Sequence, residues 1–352
     1  MSPNSFQRLG SERQGAPRAV LSCERVNGDE FILRERPTTV EVEDAVMLPV
    51  TRGSWYDSDH GWGVYKDGRL VSEAAYRRGP GDMLVGQAAE NHTQPVAVAP
   101  DDTYVYGGTV QPHIGHFLLS TLSWFWTDRR DAKIVLHGYV PAAALFTLPF
   151  VQQIFGALGL TPDHFVHFDQ PTRIRRLIVP APSFIERRLA HTVFGELCTG
   201  IGETLLAGRP RQSGPPVYLS KERLAAGIWR IGNEAALSER LAAAGVETIF
   251  PETLSLAEQI DLFRSRTVIG TMSSALHLSL FSPEPANMIA LGRENLIESN
   301  FHLIDRLKNH RSRYFYPTAQ VNLGYGASGL LTCDLTDPVG VAEDLLRLLD
   351  DA

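Results

Sequence analysis

The chain has 352 residues, of which 43% are hydrophobic and 21% charged, and a formal net charge of -7. That balance marks an ordinary soluble globular protein with apolar material for two cores, and the acidic sum argues against nucleic acid as the main partner, because phosphate backbones are held by basic surfaces. Cys23, Cys198 and Cys333 are too few and too scattered for a disulfide framework or a structural zinc site, so they read as packing residues.

Residues 1 to 17 are polar, with little to bury, and are expected to be a disordered tail. They lack the hydrophobic centre of a secretory signal, and no run in the chain approaches the ~18 apolar residues of a membrane span. A cytoplasmic protein is expected. From Phe31 to about Arg78 short alternating runs such as Val40-Glu41-Val42-Glu43, punctuated by Gly61, Gly63 and Gly68, predict an antiparallel or mixed preamble.

Tyr104-Val105-Tyr106 reads as a strand ending at Gly107-Gly108, and the apolar density from Gly115 to Trp126 predicts a buried helix with His116 in its first turn. Lys133-Ile134-Val135-Leu136, His164-Phe165-Val166-His167 and Leu177-Ile178-Val179 follow as strands, with a helix around Val151–Phe155 between the first two, the alternation of a βαβ sheet. A helix is expected from Ile185 to Leu206. The Gly-, Pro- and Ser-rich stretch 209–216 then reads as a linker.

The second half is cleaner. Val217–Ser220 is a strand, Asn233 caps a helix bearing Leu237 and Leu241 that Gly245 ends, and Val246–Phe250 is a strand. Ser255 and Glu258 form a capping box for a helix carrying Leu256, Ile260 and Phe263. Thr267-Val268-Ile269-Gly270 is a buried strand whose carboxyl end turns through Thr271-Met272-Ser273-Ser274 into a further helix, and His277 would be held over that mouth. Small residues there free backbone N–H groups and hydroxyls for an anion. Equally, Ser273 and Ser274 could only cap and His277 only pack. Met288–Leu291 is one more strand, a helix follows around Leu296–Leu307, and Asp337-Pro338 opens a terminal helix.

Two ordered sets of residues resemble the glycosyltransferase 61 family, which includes bacterial DUF563 proteins of capsular polysaccharide synthesis. One is Val217-Tyr218-Leu219-Ser220-Lys221, Arg230, Asn233-Glu234, Leu254-Ser255-Leu256-Ala257-Glu258-Gln259, and Gly270 through Ser273-Ser274-Ala275-Leu276-His277. The other is Gly107-Gly108 with His113-Ile114-Gly115-His116-Phe117-Leu118-Leu119-Ser120. Ser120 stands where an acidic residue is usual, Lys221 where Arg is usual, and Met272-Ser273 where many members have His-Gly.

The resemblance implies an α/β fold of the GT-B type, two Rossmann-like domains facing across a cleft. The expected boundaries are an acceptor-side domain at 18–208, the linker at 209–216, a nucleotide-sugar domain at 217–335, and a helix at 336–352 crossing back to the first domain. It further implies an inverting, metal-independent transfer from a nucleoside-diphosphate sugar, a UDP-sugar in the first instance, to a glycan or lipid-linked glycan acceptor, with no cofactor. His116 is the expected base, and Lys221, Arg223, Arg230, Glu258, Ser273, Ser274 and His277 the donor contacts. Asp57-Ser58-Asp59-His60 mimics the Asp-x-Asp metal motif of the other large nucleotide-sugar transferase architecture, although an exposed Gly-rich turn explains it as well. Arg173, Arg175, Arg176, Arg187 and Arg188 could face an anionic lipid at the membrane, or be solvated edges. A polysaccharide pyruvyl transferase, or a non-catalytic glycan-binding or scaffold member, are the alternative functions.

Overall fold

The computed structural model describes residues 18–50, 61–127, 132–139, 141–211, 213–224, 227–325 and 329–350. The expected tail and the Asp57–His60 motif therefore lie outside the described residues, as does Gln212 of the linker.

The described chain opens with strand β1 (Val20–Ser22) and continues through the antiparallel set β2 (Thr39–Leu48), β3 (Gly63–Lys66) and β4 (Arg69–Leu70). A small hairpin, β5 (Arg77–Arg78) and β6 (Met83–Leu84), follows. Then come the parallel strands β7 (Thr103–Thr109), β8 (Lys133–His137), β9 (Phe165–Val166) and β10 (Thr172–Pro180). Their order in the sheet is β9-β8-β7-β10, with β2, β3 and β4 added antiparallel beyond β10. The mixed preamble is thus the antiparallel flank of a parallel sheet.

The helical run after β7 is α1 (Ile114–His116), continued by a π-turn over Phe117–Thr121 and a tight 3-10 turn over Leu122–Trp124. π-Turns are rare and concentrate at functional positions. Helix α2 (Pro149–Ala157) packs beside it. The region read as one helix from Ile185 instead begins as a hairpin, β11 (Phe184–Ile185) with β12 (Leu189–His191), turned by Arg187 at φ 59°; helix α3 starts only at Thr192 and runs to Leu205.

The second sheet is built from β13 (Val217–Leu219), β15 (Glu247–Ile249), β16 (Thr267–Thr271), β17 (Asn287–Leu291) and β18 (Arg311–Pro317), with β14 (Trp229–Ile231) set apart in a small sheet beside β20 (Leu331–Leu335) and β19 (Gln320–Tyr325). The main strands run parallel in the order β15-β13-β16-β17-β18, and β1 closes the edge antiparallel to β18. The connecting helices are α4 (Glu234–Ala243), α5 (Leu256–Ser265), α6 (Ser274–His277) and α7 (Ser299–Lys308), and α8 (Pro338–Asp350) ends the chain.

Period-two alternation sorts each strand between two cores. Val217, Val268, Met288, Val105, Ile134 and Ile178 all join one apolar cluster, together with Phe155 of α2, Phe194, Cys198 and Ile201 of α3, and Leu278, Leu280 and Phe281. That cluster runs through both sheets, in place of two separately packed cores. The alternate residues Tyr218, Ile269 and Ile289 face a second cluster with Leu237, Leu241, Val341 and Leu345, and Tyr104, Val135 and Leu177 face a third. Helix α8, expected to cross back to the first unit, lies on α4 in the second cluster, where Arg240 Nε donates to Glu343 Oε1 at 2.6 Å. The N-terminal end crosses instead, because buried Asp344 Oδ2 accepts from the backbone N–H groups of Ala19 (2.6 Å) and Val20 (2.9 Å) and holds β1 in the second sheet.

Helix α3 seals the shared core so closely that a Cβ at Gly202 would lie 1.7 Å from the carbonyl oxygen of Phe281, whereas one at Gly200 would meet nothing within 4 Å. Gly202→Ala should therefore lower stability by at least ~1–3 kcal/mol, as overpacking against backbone does. Gly200→Ala should raise it by about 0.5–1 kcal/mol. Chemical denaturation of the two variants checks the pair, and equal effects would contradict the packing.

Candidate active site

In a parallel sheet the loops from neighbouring strands diverge where the crossover direction reverses, and the carboxyl ends of those strands then open a crevice. The first sheet reverses between β7 and β10, the second between β13 and β16. The four loops leaving these carboxyl ends carry His113 and His116, Glu186, Lys221, and Ser273 with Ser274.

The two crevices meet. Helix α1 packs on α6 at Gly115, where an added Cβ would stand 3.0 Å from Ser274 Cβ and 3.4 Å from the His113 ring. This close approach explains a glycine between two histidines, and it brings the histidine motif of the first unit against the serine turn of the second.

On the first side a buried carboxylate organises the site. Glu186, whose side chain is 4% exposed, has Oε1 3.0 Å from His116 Nδ1 and bonded by the Ser120 hydroxyl, while Oε2 accepts from Arg78 Nη2 at 2.7 Å. Burial alone would raise its pKa, but the His116 hydrogen bond, the Arg78 charge and the Ser120 bond hold the carboxyl down at about 2. An ionised carboxylate only accepts, so His116 Nδ1 carries the hydrogen of this bond, and in the neutral form of the ring Nε2 is the nitrogen that accepts. His116 keeps 31% of its side chain exposed. A network extends outward from Ser120 Oγ to Tyr76 OH (3.4 Å), which accepts from Gln111 Nε2 (3.1 Å).

Glu186 was hidden by the helix expected from Ile185. The hairpin geometry, with Gly79 N–H bonded to the Glu186 carbonyl at 2.9 Å, turns it inward. It supplies from another strand end the carboxylate that Ser120 lacks. The neighbouring arginines are paired: Arg176 with Glu41 (2.8 Å), Arg175 with Asp102 (3.1 Å), Arg188 with Asp82 (3.3 Å) and, more loosely, Arg187 with Glu298 (3.9 Å).

On the second side Lys221 follows β13. Its backbone N–H is fixed by Glu234 Oε1 (3.0 Å), which also accepts from Tyr218 OH (2.6 Å), so the Glu of the Asn-Glu pair is a buried anchor for this turn. Asn233 caps no N–H with its side chain; it exchanges two bonds with the Leu335 backbone (2.8 and 2.9 Å). The Lys221 ammonium reaches the Trp229 carbonyl at 3.2 Å and lies 5.3 Å from that ring, and burial draws its pKa down to about 8 against the pull of Glu234. Arg223 stacks on Phe250 at 3.6 Å, and Arg230 Nε donates to Thr332 Oγ1 at 3.4 Å.

Glu258 is committed elsewhere. Its Oε2 takes the Ser255 N–H (2.8 Å) and hydroxyl (2.7 Å) in the capping box, and Oε1 lies 3.6 Å from Arg209. His277 sits under the rim rather than over it, because α6 is a single turn that carries it inward against Phe301, 4.8 Å between ring centroids. Burial lowers its pKa to about 4, and neither ring nitrogen has a partner among the described residues. Ser273 makes no side-chain cap bond. No group of three or more metal-ligating side chains occurs among the described residues.

The sequence profile of glycosyltransferase 61 matches residues 114–289, half of the chain, from α1 through the serine turn to β17. The chain belongs to the glycosyltransferase 61 family. Its general activity is therefore transfer of a sugar from a donor to a glycan acceptor. No curated protein matches this glycosyltransferase. Among its described residues no helix is long and apolar enough to cross a membrane.

Because the folded-state pKa of Glu186 is depressed, its contribution to stability is present above the ordinary carboxylate range and is lost as pH falls toward 2. That contribution is on the order of 3 kcal/mol. Between pH 5 and pH 3 the melting temperature of the wild type should fall more steeply than that of Glu186→Gln. Parallel slopes would contradict the paired, ionised carboxylate.

Proposed function

We propose that this glycosyltransferase is an inverting, metal-independent enzyme that takes a UDP-sugar, hexosyl or pentosyl, and extends a surface polysaccharide or related glycan at the cytoplasmic side of the membrane. The observation that carries the reading is the contact of Gly115 with Ser274, which sets an acid–base pair beside the carboxyl ends of the second sheet. The two parallel sheets, with reversals in the orders found in dinucleotide-binding and flavodoxin-like folds, favour a GT-B-like arrangement of an acceptor-side unit ending near 208 and a donor unit from 217.

In this reading the nucleoside diphosphate lies at the rim between Lys221 and Ser273-Ser274, with Arg223 and Arg230 adding positive charge. Departure of the diphosphate leaves negative charge on phosphate, and fixed cations stabilise it without reorganisation. Glu258 is left to its helix cap. Nε2 of His116 takes the proton from the acceptor hydroxyl as its oxygen attacks the sugar carbon opposite the leaving group, and Glu186 stabilises the imidazolium that forms. Proton transfer by such a base supplies ~10²–10⁴-fold in rate.

Thermal-shift titration with UDP, GDP, CDP, CMP and phosphoenolpyruvate, each in EDTA and with Mn²⁺, tests the donor class, since a ligand bound only by the native state raises its stability. UDP in EDTA should stabilise. A shift with phosphoenolpyruvate alone would mean a pyruvyl transferase, a requirement for Mn²⁺ would remove metal independence, and no shift with any ligand would favour a non-catalytic role.

Lys221→Ala should weaken UDP binding by about 1.5–3 kcal/mol, the usual worth of a charged hydrogen bond. In the wild type UDP affinity should fall as pH rises through about 8, where the ammonium loses its proton. Lys221→Met should be flat across that range, and an identical fall in both proteins would remove Lys221 from the phosphate site. His116→Ala should keep UDP binding and lose transfer.

A further inference from the structure

The hairpin β5–β6 has no part in either parallel sheet, yet it is tied to the acid–base pair at three points. Gly79 N–H bonds the Glu186 carbonyl at 2.9 Å, Arg78 Nη2 meets Glu186 Oε2 at 2.7 Å, and Tyr76, just before β5, bonds Ser120. The two oxygens of Glu186 are divided. Oε1 serves His116 and Ser120, and Oε2 serves Arg78.

We propose that Arg78 is a positioning residue for the transfer: its ion pair with Glu186 offsets the carboxylate charge, fixes the carboxylate plane with Oε1 aimed at His116 Nδ1, and opposes an added proton on the Glu186–His116 pair. The proposal rests on the reading of His116 as the base. A lone buried carboxylate beside an imidazole draws a proton onto the pair, because the doubly neutral and the ion-paired forms both carry one proton more than the base form. A guanidinium on the opposite oxygen disfavours that extra proton, since it repels a second positive charge on the imidazole and stabilises the ionised carboxylate in a site with little solvent. Arg78 is 21% exposed at its side chain and Glu186 4%, so screening by water is limited.

Among the described residues the other titratable groups near the pair include Tyr76, through Ser120, and two histidines. His113 on α1 has its ring 5.5 Å from that of His116, and His277 on α6 lies buried beneath; burial lowers the pKa of both, and Glu186 opposes the lowering. Neither supplies a fixed positive charge at neutral pH. Among the described residues Arg78 is the permanently charged group whose charge acts on Glu186.

The test needs no substrate. In the full-length protein labelled at histidine, the imidazole C–H resonance of His116, identified by its loss in His116→Ala, is titrated in the wild type, Arg78→Met and Arg78→Lys. The midpoint should rise by about one pH unit or more in Arg78→Met, within the range an opposite charge moves a neighbour. It should return toward the wild-type value in Arg78→Lys, which keeps the charge. Should Arg78→Met give no cooperative thermal transition, Arg78→Gln, which keeps a donor but not the charge, takes its place with the same expectation. An unchanged midpoint in the charge-removing variant, or a lysine variant that behaves like it, would overturn the role. A purely structural residue would lower stability and leave the midpoint where it is. The base assignment fails separately, if His116→Ala retains sugar transfer whatever the midpoints show.

Discussion

A carboxylate shut away from water must be paid for with donors, and the arrangement of the first unit follows from how Glu186 obtains them. Two elements distant in sequence supply the three groups: His116 and Ser120 from the helical run after β7, and Arg78 from a hairpin nearly forty residues earlier. His116 and Ser120, four residues apart on the helical run, reach one oxygen together, and the left-handed Arg187 turns the β11–β12 hairpin so that Glu186 points inward. Remove any donor and the remaining charge becomes costly, by about 1–3 kcal/mol or more for a buried group left without its partner.

The second constraint is proximity. The histidine motif of the first unit and the serine turn of the second are held in contact, and two glycines permit it. Gly202 lets α3 lie on the Phe281 carbonyl and fuse the two sheets into one apolar cluster, while Gly115 lets α1 touch the serine turn. With a shared core behind the site, the relative placement of the His116–Glu186 pair and the Ser273-Ser274 turn is set by packing.

Much of this was legible in the sequence because the signals were local. The parallel strands of the second sheet, the capping box at Ser255 and the position of His116 at a strand–helix junction all follow from short-range periodicity and caps. What escaped depended on long-range partners. Glu186 lies inside the helix expected from Ile185 until its hairpin is seen, the Arg209 beside the capped Glu258 comes from another part of the chain, and His277 reads as a rim residue until a single-turn helix carries it under Phe301. The terminal helix shows the same limit: its apolar stripe predicts burial, but only Asp344, gripping the backbone of residues 19 and 20, reveals that the N-terminal strand makes the crossing.

The most direct measurement is a crystal structure of the protein with UDP. The diphosphate should lie at the carboxyl ends of β13 and β16, within hydrogen-bond distance of Lys221 and the Ser273-Ser274 turn, and on the side of α6 that faces Nε2 of His116. A nucleotide bound in the first-sheet crevice, or at the second sheet but turned away from His116, would contradict the assignment of acid–base pair and donor rim to opposite sides of the Gly115–Ser274 contact.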